Sequence, residues 1–285
     1  MKKNTNQQIQ FKLTEMGNIS SVQDLIEGSA ELCNRAEARL FYRGHSKSDF
    51  LLVPSIGRGI SFGNKIDVRF TAEQERLILH RFRRHAYAHV GRLITEWEAL
   101  LLARHHGLPT RLLDWALSPL VALFFACCDN AGMAGCVWGF SRFKESRHTR
   151  STDIDIIEKI LDPESSPLEP ILAPSDETNQ PDNKDSVRII YPVANTPRIV
   201  VQGGVFTWHS NPTIPLDRYA GKCIQRSNWD LAHLYRWDIP EEKKNELLKC
   251  LDLCGVNRRT LYPDLDGIAM SLWQAEVLFR GDSTP

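Results

Sequence analysis

RHHGLPTRLLDWALSPLVALFFACC, residues 104–128, sets the chain's densest group of polar side chains directly against its most apolar run. Arg104, His105 and His106 close a helical pattern, Gly107 stops it, and Pro109 turns the chain into an extended TRLLDW. Ser118 followed by Pro119 then opens a new helix. Serine suits the N-cap, and a proline nitrogen at the first helical position would have been an orphan donor in any case. Leu120 to Cys128 is apolar all round, which predicts a buried helix. A strand and a buried helix therefore frame His105, His106, Thr110, Arg111 and Asp114. Charges this close to a core need partners or a function, because an unpaired buried charge is strongly destabilising.

Upstream, Ile78, Phe82, Ala86, Val90, Ile94 (or Leu93), Trp97 and Leu101 recur at helical spacing from about Thr71. Gly91 is a possible break, so this is one long helix or two successive ones. Its outer face carries Arg76, Arg81, Arg83, Arg84 and Arg92 with His80, His85 and His89, either a solvated basic face or a local phosphate-binding surface. Before it, residues 1–18 form a flexible arm leading into a short first strand, and Ser20 or Ser21 opens a helix through Cys33. RLFYRG (39–44) is an aromatic strand, and HSKSDFLLVPSIGRG (45–59) is a loop.

Downstream, GCVWGF (135–140) is a strand and Ile154–Leu161 a short helix. Residues 163–186, rich in Pro, Ser and acids, are a long loop, a lid or an insertion. Strands resume at 187–193 and at RIVVQGGVFTWH (198–209), where Gly203 and Gly204 predict a bulge or a close backbone approach. Trp237–Ile239 is a last strand and Pro240 begins a helix to Leu253. Asp264 or Asp266 caps a final helix over Leu265–Val277. Helices alternating with short valine-rich strands, and no glycine fingerprint of a doubly wound sheet, predict a single α+β domain over 19–285 with a mixed or antiparallel sheet and flanking helices.

Lys plus Arg and Asp plus Glu both number 35, so no global field draws nucleic acid or anionic lipid. The seven cysteines are odd in number, show no CxxC, and mostly sit in apolar runs, which points to a reducing, cytoplasmic setting. Cys250 and Cys254, one helical turn apart, are read as core packing. No segment reaches the length of an apolar membrane span, so no membrane partner is expected. His85 with His89 and His105 with His106 lack a third ligand at a usual spacing, and no metal is expected. GxSxG, GxxxxGK[ST] and GxGxxG are all absent, which removes the serine-hydrolase, P-loop and dinucleotide-fold readings. Gln274 and Glu276 fall on a helix surface. Arg43 stands out: it ends an aromatic strand beside Gly44, where a ligand can come close. It is either a buried arginine paired with Asp114 or Glu75 or a ligand contact, and the two are compatible.

Taken together, FYRGHS (41–46), Glu75 with Phe82, HHGLPTRLLDWALSPLVALFFA (105–126), QGGVFTWH (202–209) and LYPDLDGIA (261–269) resemble the FRG domain family, in order from about residue 20 to 275. The resemblance implies a bacterial or phage-related protein met in defence or toxin settings, but supplies no chemistry. A weaker resemblance is to ADP-ribosyltransferases, which hold NAD with a first-strand Arg or His, a strand running into a helix through a serine and aromatics, and a late-strand Glu. Arg43 after Tyr42, Ser118 and Phe124 in LLDWALSPLVALFFA, and Gln202 on a late strand match that order, with Gln202 departing from the expected Glu. The resemblance implies NAD as substrate, a macromolecular acceptor (protein or nucleic acid), and an antitoxin or other regulatory partner. Arg43, Asp114 and Gln202 would be its catalytic residues, and Tyr42, Arg43, Gly44, His106, Thr110, Arg111, Ser118 and Phe124 its NAD contacts. Gln202 can bond a ribose hydroxyl but carries no charge, so Asp114 is expected to stabilise the oxocarbenium-like transition state, oriented by His106 and Arg111. The other class of reading is a non-catalytic sensor of a phage product, nucleotide or partner protein.

Overall fold

A computed structural model describes residues 11–36, 40–62, 65–68, 70–143, 187–190, 201–202, 204–209, 211–218 and 231–279. Seven of its strands form one mixed sheet: β1 (Phe11–Asn18), β2 (Phe41–His45), β5 (Leu112–Ala116), β6 (Gly135–Phe143), β7 (Val187–Ile190), β8 (Gly204–His209) and β9 (Leu231–Ile239). The strand order is β1-β9-β6-β2-β5-β8-β7. β1 runs parallel to β9, and every other neighbour is antiparallel. β3 (Ile60–Phe62) and β4 (Lys65–Val68) pair as a separate hairpin. The helices are α1 (Val22–Ala36), α2 (Ala72–Val90), α3 (Glu96–His105), α4 (Pro119–Cys127), α5 (Lys244–Leu253), α6 (Arg258–Leu261) and α7 (Leu265–Phe279).

The long basic pattern resolves into two helices because each has its own start signal. Thr71 with Gln74 and Thr95 with Glu98 form capping boxes, and Gly91 ends α2 at φ +75°, a left-handed turn that a glycine takes without steric cost. The apolar run of 119–127 is the buried helix its composition predicts, with Leu123 and Ala126 fully inaccessible. Ser118 holds the N-cap position of α4, but its hydroxyl makes no capping bond.

Three apolar clusters cover the sheet. α1, α4 and α5 pack on residues of β2, β6 and β9, including Tyr42, Val137 and Trp237. α2 and α3 pack on Leu112, Phe206 and Trp208 of β5 and β8. The opposite face, with Leu113, Trp115, Trp138 and Phe140, is closed by Leu52 and Leu216 from connecting segments. The helix layer thus has two groups, and the sheet is parted along the same line. β2 and β6 pair over five residues and β5 and β8 over five, whereas β2 and β5 share only Tyr42 opposite Ala116.

α4 is set into place by two contacts. A Cβ on Gly44 would stand 1.9 Å from the Ala122 carbonyl oxygen, so only glycine lets β2 touch the helix backbone. Lys244, fully buried at the start of α5, donates to the carbonyls of Ser46, Asp129 and Asn130 at 2.7, 3.2 and 3.0 Å. It satisfies oxygens in the segments after β2 and α4 that would otherwise lose their hydrogen bonds on burial.

Several sequence expectations change. The expected arm of residues 1–18 is a strand from Phe11 onward, because β9 supplies a ladder that eight polar-rich residues do not announce by composition. β9 begins at Leu231, well before Trp237, and β6 continues to Phe143. A 3-10 turn (Glu241–Lys243) precedes α5. Val201 and Gln202 are helical, so Gln202 precedes β8 and is not on it. Cys250 and Cys254 are exposed, not core. Asp264 caps α7, its carboxylate accepting from the Gly267 amide at 2.7 Å. The helix expected at 154–161, the segment 163–186, residues 191–193 and 198–200, and Gly203 lie outside the described residues. Among the described residues no helix is long and apolar enough to cross a membrane.

Gly44→Ala should lower unfolding free energy by about 1–3 kcal/mol or more, since the added methyl must push α4 off β2. Gly132→Ala, where nothing lies within 4 Å, should be near neutral. Urea unfolding of the two variants side by side checks this.

Candidate functional site

Where β2 and β5 part, a cleft of about 420 Å³ opens between α3 and α4. Asp114, Ala116, Gly204 and Phe206 line it from β5 and β8, Leu101, Arg104 and His105 from α3, and Ala122 and Phe125 from α4. Tyr42, Arg43, Gly44 and His45 enter from β2, and Phe50 and Arg58 from the segment after it. Strand alternation turns Asp114 toward the helices together with Leu112 and Ala116, while Leu113 and Trp115 join the cluster on the other face. Asp114 therefore occupies the seam between the two helix groups.

Its charge is fully engaged. Arg104 grips the carboxylate with both ends of its fork: Nε donates to Oδ1 at 3.0 Å and Nη2 donates to Oδ2. The remaining Nη1 donates to Ser55 Oγ at 3.0 Å. Arg43 Nη1 donates to the Asp114 main-chain carbonyl at 2.8 Å and lies 3.6 Å from Oδ2. In this way the Arg43 guanidinium takes the place of a strand neighbour along the part of β5 that β2 does not reach. Arg58 is anchored through Nε to the Val53 carbonyl at 3.0 Å, and its side chain is exposed. Burial pushes the Asp114 carboxyl up, but Arg104 and Arg43 outweigh it and hold the pKa at about 2. Burial and then Arg58 bring Arg43 down to about 9, still charged at neutral pH.

Two histidines in and below this site are held neutral. Arg43 Nε donates to His45 Nε2 at 3.0 Å, so that nitrogen must offer its lone pair and the ring proton sits on Nδ1. Burial, reinforced by Arg43 and Arg58, pushes the His45 pKa down to about 2. His209, on β8, is fully buried. It meets Thr207 Oγ1 at 2.9 Å, an oxygen that also accepts from Trp115 Nε1 at 3.0 Å. Burial and then Arg111 bring His209 to about 3.

The cleft brings together Tyr42, Arg43, Gly44, Asp114 and Gln202, which are widely separated in the chain. Gln202 Nε2 donates to the Leu261 carbonyl at 3.0 Å, leaving its amide oxygen as an acceptor. The other expected contacts are elsewhere. His106 is exposed at the C-cap of α3. Thr110 is buried, with its main-chain amide and carbonyl bonded to Ser55. Arg111 is buried against Glu75, its amide and Nε donating to that carboxylate at 3.1 and 2.8 Å, and it lines a different groove beside α2. Ser118 does not line the cleft, and Phe124 is core. A helix turns about 100° per residue, and this rotation puts Phe125 on the cleft wall instead. Arg58, His45 and Arg104 had no role in the sequence reading beyond loop, turn and helix end. The available signals were the basic side chains of Arg58 and Arg104 and the position of His45 two residues after Arg43 on the same strand.

Residues 38–133 match the FRG domain family. That span runs from just before β2 to the turn after α4 and contains Arg43, Arg58, Arg104 and Asp114. No curated protein and no solved structure matches the chain.

The buried neutral histidines give stability a definite pH dependence. Unfolded, each takes a proton near its ordinary 6.5; folded, His45 does so only at about 2 and His209 at about 3. Their contribution is therefore complete above pH 6.5 and is lost as pH falls below it, by about 1.4 kcal/mol per pH unit for each histidine. Urea unfolding between neutral pH and about pH 4.5 should show this loss, and His209→Gln should remove about half of the slope. A flat profile would mean that these rings protonate in the folded protein.

Proposed function

We propose that the FRG-domain cleft receives a phosphate-bearing ligand of the nucleotide class, with NAD the first candidate. The observation carrying this reading is the charge balance: Arg43, Arg58 and Arg104 converge on a concave site whose lining holds a single carboxylate among the described residues, Asp114. Arg104 is occupied by that carboxylate and Ser55, whereas the terminal amino groups of Arg58 face no partner among the described residues. A planar fork with open donors, backed by two further positive charges, suits a phosphate better than any neutral group. Phe50, Phe125, Phe206 and Tyr42 offer apolar surface for a base or nicotinamide ring. The volume falls within the roughly 300–1,000 Å³ usual for such ligands.

ADP-ribosyl transfer is the second reading, favoured by Asp114 and Gln202 lining the same cleft. In that reaction the bond between nicotinamide and ribose breaks, nicotinamide leaves with the bonding pair, and the acceptor attacks the ribose carbon. Gln202 would accept from a ribose hydroxyl through its amide oxygen. Asp114 is better placed to orient Arg104 and Arg43 than to stabilise an oxocarbenium ion, because two guanidiniums already balance its charge. Under this second reading the protein acts as an effector on a macromolecular acceptor in a toxin or antiphage setting, restrained by a regulatory partner. Under the first it is a nucleotide sensor.

Calorimetric titration with NAD, ADP-ribose, ADP and inorganic phosphate should give binding for at least one of them. Arg58→Ala, at an exposed side chain, should weaken it by about ten- to a hundredfold, the loss of a charge-assisted contact. Gln202→Ala should cost roughly tenfold or less. Affinity unchanged by Arg58→Ala would move the ligand away from this cleft. Nicotinamide release from NAD by the intact protein decides between sensing and transfer.

A further inference from the structure

The guanidiniums of the described residues divide into two groups. One group is matched: Arg104 and Arg43 to Asp114, Arg111 to Glu75, Arg236 to Asp238, Arg258 to Asp129, Arg92 to Glu98 and Arg218 to Asp217. Arg83 is tied to the Ile94 carbonyl. Arg76, Arg81 and Arg84, all exposed on α2, make no ion pair or hydrogen bond among the described residues. They are not scattered. Arg76, His80 and Arg84 follow at i, i+4 and i+8 along one row, and Arg81 and His85 form the adjacent row. Glu75, Leu79 and Ala86 point the other way and are buried. The side turned to solvent carries one acid, Glu73, in the first turn, with Glu96 of α3 at the edge of the neighbouring groove.

A protein with equal numbers of acidic and basic residues has no general need for such a face. Arg81 and Arg84, three residues apart on one side of the helix, repel one another unless a counter-charge is brought to them. We propose that the exposed side of α2 is a docking surface for the phosphodiester backbone of a nucleic acid. From Arg76 to Arg84 the row is about 12 Å long, the axial span of three to four phosphates on one strand. The cations are arginines, whose planar forks meet phosphate oxygens two at a time. Tyr87, 55% exposed among them, supplies a ring on which an unpaired base can stack. An anionic bilayer fits less well, since a helix lying in a membrane surface must bury its apolar face in lipid. Leu79, Phe82 and Ala86 of α2 are already committed to the core, and Leu77 and Val90 are the large aliphatic side chains it leaves exposed. This surface lies outside the cleft lining, and the proposal stands whether or not the cleft takes a nucleotide.

The test is fluorescence anisotropy of the full chain with a labelled single-stranded DNA, a matching RNA and a duplex. Three phosphate contacts predict a log–log salt slope of about −2 for single strands and −3 for duplex. Affinity should then fall roughly 20- to 40-fold between about 50 and 200 mM salt. The variant R76Q/R81Q/R84Q should lose most of both affinity and slope. Arg259→Gln, another exposed arginine without an ion pair among the described residues but on α6, should keep them. If thermal melts show that the triple variant is unfolded, R81Q and R84Q are measured singly, each expected to lower the slope by about one. No binding to any of the three nucleic acids, equal binding by the triple variant, an equal loss in Arg259→Gln, or binding only to phosphatidylserine vesicles would each overturn the proposal.

Discussion

The Asp114 carboxylate and carbonyl, held together by Arg104 and Arg43, are the contact on which the cleft depends. β2 and β5 stop pairing after one residue pair, and two strands that part inside a sheet leave main-chain groups without a ladder. Here a guanidinium supplies the missing donor, with Arg43 bonded to the main-chain oxygen of Asp114. Arg104 ties the end of α3 to the same residue. The sheet can therefore remain one sheet in order while opening as two halves, and the space between the halves is the cleft.

The same contact limits what the cleft can do. A carboxylate bound bidentate by one arginine and approached by a second is a poor source of additional negative potential, although its side chain remains 39% exposed. The positive charge left over is the larger asset. His45 contributes to this asymmetry by staying neutral: it takes a hydrogen bond from Arg43 and adds no cation of its own. The anion binding proposed for the cleft rests on this arrangement, and the transfer reading would call on charge that the two arginines already engage.

Around this seam the remaining structure serves as support. Gly44 lets the backbone of α4 rest on β2, and Lys244 closes the carbonyls beside its C-terminal end. The buried Arg111–Glu75 pair, with Arg111 5.5 Å from the Trp208 ring, docks α2 onto β5 and β8. That pair explains why TRLLDW holds two charged residues with different fates: Arg111 joins a helix to the sheet, and Asp114, on the strand proper, faces the seam.

Local chemistry makes much of this protein readable from the chain alone. The Ser118–Pro119 start and the all-round apolar run specify a buried helix, Gly107 and Gly91 mark real helix ends, and LLDWA is a strand because β-strand alternation and turn residues are properties of neighbours in the chain. Arg43, Asp114 and Gln202 were identifiable as polar groups out of place among apolar ones. What remained undetermined depends on contacts far apart in sequence: Arg43 with Asp114 across 71 residues, Arg104 with Ser55 across 49. Phe125 rather than Phe124 faces the cleft, and Arg111 turns to Glu75, because the rotation of a helix and the face of a strand are set by what packs against them. β1 is a strand because β9 offers it an edge, and Gln202 left the strand pattern for a helical turn. Periodicity gives each element its own faces. Only the tertiary structure decides which face meets which, since that choice is made by burial and pairing energies summed over the whole fold.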